Sequence, residues 1–286
     1  MFIIDTHHHL WSYDRKAYGW IDDSMGILRR DYLPEELEAE LAGAAVSGTV
    51  VVQARQTVEE TKWLLSVAET TPWILGVVGW LDLKSGTLSN SLDLFATHPK
   101  LLGIRHVLQD EPDRDFMLNP SFMEGIAQLE ARRLTYDILI YHDQLEQAAK
   151  LVSSFPHQKF VLDHMAKPPI RQGGWQPWKR GMEALARHSN VWCKISGLVT
   201  EADHAQWNYE TLLPYLDAAV QAFGAERMMV GSDWPVCRLA AEYGEVMAIP
   251  QRYFASWSRE EQQKIFQRNA MDCYELELNQ YGKPKT

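Results

Sequence analysis

The feature that most constrains the fold is an alternation. Short β-branched or aliphatic runs recur along the chain: FIID at 2–5, TVVVQ at 49–53, ILGVV at 74–78, LGIRHV at 102–107, YDILIY at 136–141, KFVLD at 159–163, VWCKIS at 191–196 and RMMVG at 227–231. None shows sustained polar alternation, as expected of parallel strands covered on both faces. Amphipathic stretches lie between them, at 34–48, 58–70, 120–133, 144–155, 178–188 and 210–224. Strand and helix patterns taken in turn read as βα units with right-handed crossovers. The eight candidate strands predict an α/β protein built as a (β/α)8 TIM barrel, with a doubly wound sheet as the alternative. The chain of 286 residues suits one such domain spanning 1–286.

Three connections are longer than a βα turn needs: 10–33, 109–120 and 166–178, each beyond the C-terminal end of a strand pattern. In a barrel that end carries the active site, so these Trp- and Arg-bearing segments are candidate pocket walls. The formal charge of −10 and the lack of a dense Lys/Arg block argue against a protein that holds nucleic acid or anionic lipid by bulk electrostatics. Cys193, Cys237 and Cys273 have neither metal-type spacing nor an even count, which points to a reducing compartment. No signal-peptide pattern and no apolar run of bilayer length is present, so a cytoplasmic location is expected.

The polar residues that interrupt or end these apolar runs are the candidates for chemistry. In an extended chain side chains alternate sides, so Ile3, Asp5, His7 and His9 share one face while His8 joins Phe2, Ile4 and Thr6 on the other. His7 and His9 then form an H-x-H pair at a strand mouth, while His8 faces the layer behind. His164 follows the sixth run and Asp233 the eighth. Together they are a candidate site for a divalent metal, or a metal-free acid/base cluster. Arg105 and Lys194 lie inside apolar runs, where an unpaired charge is costly. They either project toward a ligand or form ion pairs with Asp5 or Asp163. His142 ends the fifth run. There is no G-x-S-x-G elbow, phosphate loop or G-x-G-x-x-G fingerprint, so serine-hydrolase, nucleotidase and dinucleotide-enzyme readings have no anchor.

The segments DTHHHLW, GIRHVLQDEP, LDHMAKPPI, NVWCKISGLVTEA and GSDWPVC, in this order, resemble the amidohydrolase superfamily, and within it the branch that holds sugar-acid lactonases. The likeness spans about 2–276. It implies a metal-dependent-hydrolase-like barrel, hydrolysis of a lactone, and a site of His7, His9, His164 and Asp233 that holds one divalent metal, zinc first; metal-free catalysis stays open. It implies further that Asp233 activates water, with His164 and Arg105 assisting. Arg105 matches a substrate-binding position, and Gln53, His142, Lys194 and Trp234 are further candidates for substrate contact. No lysine ends the fourth strand, so a carbamylated bridge between two metals is not expected.

The expected partner is a small sugar lactone rather than nucleic acid or membrane; a homo-oligomer is compatible with the sequence. A decarboxylase or amide hydrolase on the same barrel is the nearest alternative. A sugar-acid binding protein without catalysis is the alternative of a different class.

Overall fold

The computed structural model describes residues 2–276. Eight strands form one parallel sheet in the order β1 to β8: β1 (Ile3–His8), β2 (Val46–Val52), β3 (Ile74–Gly79), β4 (Leu101–Val107), β5 (Thr135–Leu139), β6 (Phe160–Leu162), β7 (Val191–Ile195) and β8 (Met228–Val230). Around them lie α1 (Pro34–Gly43), α2 (Val58–Thr70), α3 (Leu88–Phe95), α4 (Pro120–Glu130), α5 (Leu145–Ser154), α6 (Trp175–Leu185), α7 (Leu198–Glu201), α8 (Tyr209–Phe223), α9 (Tyr243–Tyr253), α10 (Arg259–Gln263) and α11 (Asn269–Tyr274). Among the described residues, the hydrogen bonds that close the sheet on itself lie at its C-terminal end. There the Thr6 hydroxyl donates to the Val230 carbonyl at 2.8 Å. Just above it, Asp233 N–H donates to the His7 carbonyl at 2.7 Å and His9 N–H to the Trp234 carbonyl at 2.6 Å. The arrangement is the TIM barrel expected, not the doubly wound sheet.

Two apolar cores result. The larger lies between strands and helices and includes Leu64, Phe122, Trp178 and Leu216. The smaller gathers Ile4, Val50, Val52, Leu75, Leu102, Val161 and Met229 from the strands with Cys273 and Tyr274 of α11, so the last helix plugs the barrel at the strands' N-terminal ends. The plug region is tightly filled. A Cβ built on Gly76 would collide with the Leu102 side chain, so glycine there makes room for the leucine of the next strand.

The pattern misplaced some boundaries. The stretch read as helix over 34–48 stops at Gly43, because Ala45 turns left-handed at φ 57° and β2 already begins at Val46. The helix read at 178–188 starts three residues earlier, at Trp175. Helix α9, with Pro250 inside it, is not among the stretches that read as helix. The parity of β1 also differs from regular alternation. Its register against β2 shifts between Asp5 and His8, a bulge that inserts one residue and resets which side faces in. Ile4 therefore joins the inner core, and Asp5 turns outward to accept from Tyr243 Oη of α9 at 3.1 Å. Beyond the bulge His7 and His9 face inward, and His8 faces outward toward Trp73.

Candidate active site at the barrel mouth

The inward histidines and Asp233 meet where β1 and β8 close. Asp233 Oδ1 lies 3.4 Å from His9 Nε2, 3.8 Å from His7 Nε2 and 3.9 Å from His164 Nε2. The other nitrogen of each ring is engaged. His9 Nδ1 meets the Val52 carbonyl at 2.8 Å; a carbonyl only accepts, so that nitrogen carries the proton. His7 Nδ1 lies 3.3 Å from Asp163 Oδ1, and His164 Nδ1 2.9 Å from Ser196 Oγ. His7 and His9 thus both point Nε2 toward the same carboxylate. Arg105 Nη1 stands 3.2 Å from His7 Nε2 and donates to Asp163 Oδ2 at 2.9 Å.

Backbone strain accompanies the placement. Asp233 has φ 59°, and His164, Met165, Ala166 and Lys167 are four successive residues with φ between 48° and 56°. Left-handed backbone costs a residue other than glycine roughly 1–2 kcal/mol, and such outliers gather where a side chain must be aimed. The turn swings His164 in over the strand ends instead of letting it continue along β6.

Burial sets the charge states. It lowers His164 to about 4 and holds His7 well below the ordinary range against the opposing pull of Asp163, so both rings are neutral near pH 7. Burial would raise Asp233, but His164, His9 and His7 outweigh it and keep the carboxyl below its ordinary range, ionised. Beneath the cluster runs a layer of ion pairs: Lys194 Nζ lies 2.6 Å from Asp137 Oδ2 and 3.0 Å from Asp163 Oδ1. All three side chains are fully buried. Burial would lower Lys194, yet the two carboxylates hold it above its usual value, as a cation. Tyr274 of the plug donates to Asp137 Oδ2 at 2.7 Å, so the layer reaches from the barrel's closed end to the site.

Above the cluster opens a cavity of about 370 Å³, lined among others by Trp20, Arg55, Arg105, Gln109, His164, Lys167 and Asp233. Each of the three long connections contributes: Ala17 and Trp20 from the first, Gln109 and Asp110 from the second, Lys167 from the third. His9 and Arg105 also line it. Other residues singled out from the sequence lie behind the wall. Gln53 is fully buried, with Nε2 donating to the Arg105 carbonyl at 3.3 Å. Lys194 takes up the ion-pair alternative, with Asp137 as well as Asp163, while Asp5 is engaged elsewhere by Ser232 and Tyr243. Trp234 is buried edge-on against Tyr32. His142 is half-buried on a 3-10 turn after β5, outside the cavity lining. The sequence reading missed the loop 54–57, which lines the cavity with Arg55. The available signal was an arginine just past a buried strand, in VVVQAR.

The donor set fits one divalent ion. His7, His164 and Asp233 each offer a ligand atom, all within 4.8 Å of one another, and two nitrogens with one carboxylate oxygen and an open position suit a catalytic zinc-type site. One contact competes: Arg105 donates to His7 Nε2, and that lone pair serves a guanidinium N–H or a metal, not both.

Comparison with known proteins agrees with this geometry. The amidohydrolase family profile matches residues 4–276. The L-fucono-1,5-lactonase of Burkholderia multivorans is 38% identical over 284 residues, 96% of each chain. That of Burkholderia ambifaria is 40% identical over 247 residues, 85% of this chain and 84% of its own. A crystal structure of an amidohydrolase from Burkholderia multivorans with bound zinc superposes with a TM-score of 0.93 at 38% identity, covering 97% of this chain and all of that one. With eight parallel strands and a histidine–aspartate cluster at their C-terminal mouth, and with the profile matched almost end to end, this chain belongs to the amidohydrolase family.

Proposed function

We propose that the chain is a sugar-acid lactonase that hydrolyses a 1,5-lactone of the L-fucono type. The observation that carries this is the ionised Asp233 carboxylate, within 3.9 Å of three imidazole Nε2 atoms at the floor of the cavity. The names of the two 38–40% identical relatives supply the substrate class. A water beside Asp233 loses a proton to Oδ1 and adds to the lactone carbonyl. Arg105, held by Asp163, faces the charge that develops on the carbonyl oxygen. The acyl–oxygen bond of the ring then breaks, and the proton held by Asp233 passes to the departing ring oxygen. The new carboxyl group ionises, releasing one proton per turnover. Water is supplied from the cavity, whose Trp20, Val107, Leu139 and Val236 offer apolar surface to the sugar's C–H face.

His7, His164 and Asp233, with His9 beside them, would hold a zinc ion. Such an ion polarises a carbonyl and lowers the pKa of a bound water. The zinc-bound relative supports this reading. The Arg105–His7 contact favours a second one, in which the Arg105 guanidinium polarises the carbonyl without metal.

Two measurements test the proposal. A pH-indicator assay with L-fucono-1,5-lactone should show one proton released per turnover by the wild type. Asp233→Asn should lower kcat by about 10²–10⁴-fold, the usual loss of one positioned base; near-wild-type turnover would refute the assignment. Carbon dioxide or ammonia among the products would point to the decarboxylase or amide-hydrolase alternatives. Metal analysis of the active preparation, with melting followed before and after chelation, separates the two forms of the mechanism: an ion in the site should raise stability by about 2.7 kcal/mol at 100 times its Kd.

A further inference from the structure

Three cations line the cavity, each beside a carboxylate, and Arg55 is the one held most loosely. Arg105 donates to Asp163, the Gln53 carbonyl and His7; Lys167 Nζ lies 3.3 Å from Glu201. Arg55 is different. Its side chain is three-quarters covered, at 26% exposure, and Glu60 approaches its Nε only to 3.7 Å. That nitrogen is buried with no hydrogen-bond partner. Among the described residues, Arg55 donates a hydrogen bond only from its backbone N–H.

The side chain is nonetheless held in place. Glu60 Oε2 accepts from the backbone N–H of Ala54 at 2.9 Å and of Arg55 at 2.6 Å, and Oε1 accepts from Tyr18 Oη at 3.2 Å. The Tyr18 ring lies 5.1 Å from the guanidinium carbon. A planar fork stacked on a ring and fixed at its root has already lost the freedom that binding would otherwise cost. A second, independent observation points the same way: Gln109 lines the same cavity, and its Oε1 is buried without a donor. One wall thus presents uncommitted donors and another an uncommitted acceptor, which suits groups that both accept and donate.

We propose that Arg55 is a specificity-determining residue that donates hydrogen bonds from its guanidinium to ring hydroxyls of the sugar lactone. The inference rests on the lactonase reading and deepens it. Arg55 has no hydrogen bond or ion pair with Asp233, His7 or His164, so it grips the part of the ligand away from the reacting carbonyl. A neutral aldonolactone has only hydroxyl oxygens to offer there.

The test measures kcat and KM for L-fucono-1,5-lactone with wild type, Arg55→Met and Arg55→Lys, after confirming unchanged melting temperatures. Arg55→Met should raise KM by about 10- to 100-fold, the size of a lost hydrogen bond to a charged donor, with kcat unchanged. Arg55→Lys should recover little of this, because it keeps the charge and loses the fork. An unchanged KM in Arg55→Met, a loss confined to kcat, or full recovery in Arg55→Lys would overturn the inference while leaving the lactonase reading intact. If the wild type turns over no lactone, that reading fails and calorimetric binding of L-fucose, a neutral polyhydroxylated ring, decides Arg55. Weaker binding by Arg55→Met than by wild type then sustains its role, and equal or absent binding in both overturns it.

Discussion

At the scale of single residues, the barrel mouth is a set of ionisable groups whose charge follows from what surrounds them. His8 shows the cost. It faces away from the cavity and is fully buried, with Nε2 2.8 Å from Thr49 Oγ1 and Nδ1 unpartnered. Burial, with His9 nearby, lowers its pKa to about 3. The unfolded chain takes up a proton at His8 below about pH 6.5, whereas the folded chain does not until about pH 3. Its contribution to stability is therefore present above pH 6.5 and falls as pH falls through that window. Urea unfolding at pH 7 and pH 5 should show wild type losing up to about 2 kcal/mol from this group, and His8→Gln should lose less. Equal losses would mean that another group titrates. Lys194 has the opposite logic, since its charge is wanted. Lys194→Met leaves Asp137 and Asp163 buried without their shared ammonium. A destabilisation of about 3–5 kcal/mol is expected, read as a lower urea midpoint at unchanged m-value.

At the scale of elements, the turn after β6 and the bulge in β1 aim the site. The turn runs left-handed through Met165 and Ala166, both buried. Glycine adopts that backbone without penalty, so Ala166→Gly should lose a methyl contact but relieve strain. Its melting temperature should fall less than that of Gly76→Ala, where a methyl is driven against Leu102 at about 1–3 kcal/mol; the reverse order in a thermal melt would show that the turn is not strained. These elements also explain what could be read in advance. His7, His9, His164 and Asp233 were legible because each is a polar residue just beyond an apolar run, where a barrel's open end must be. The bulge between Asp5 and His8 was not, because nothing in IIDTHH distinguishes a regular strand from one that gains a residue. Depth was also hidden. Lys194 and Arg105 both interrupt apolar strands, yet one is sealed under the histidines and the other reaches the cavity. Strand parity gives a side, not a level along the barrel axis. Arg55 was not singled out, because only the three connections longer than a βα turn needs read as pocket walls.

At the scale of the whole molecule, the barrel has two unlike ends. One is sealed by α11, whose Tyr274 reaches Asp137 and whose Cys273 joins the inner core. Truncation after Arg268 removes this plug, exposes the apolar interior, and should abolish the cooperative unfolding transition measured by circular dichroism. The other end is joined by the backbone of the candidate site: Asp233 N–H to the His7 carbonyl and His9 N–H to the Trp234 carbonyl. The seam and the candidate site are thus one structure, and the ring is complete only when β1, already paired with β2, also meets the segment after β8. Turnover then reports completion of the ring. In refolding from denaturant, lactone hydrolysis should return last, after helicity and tryptophan burial, and no intermediate that lacks the final strand pairing should be able to work.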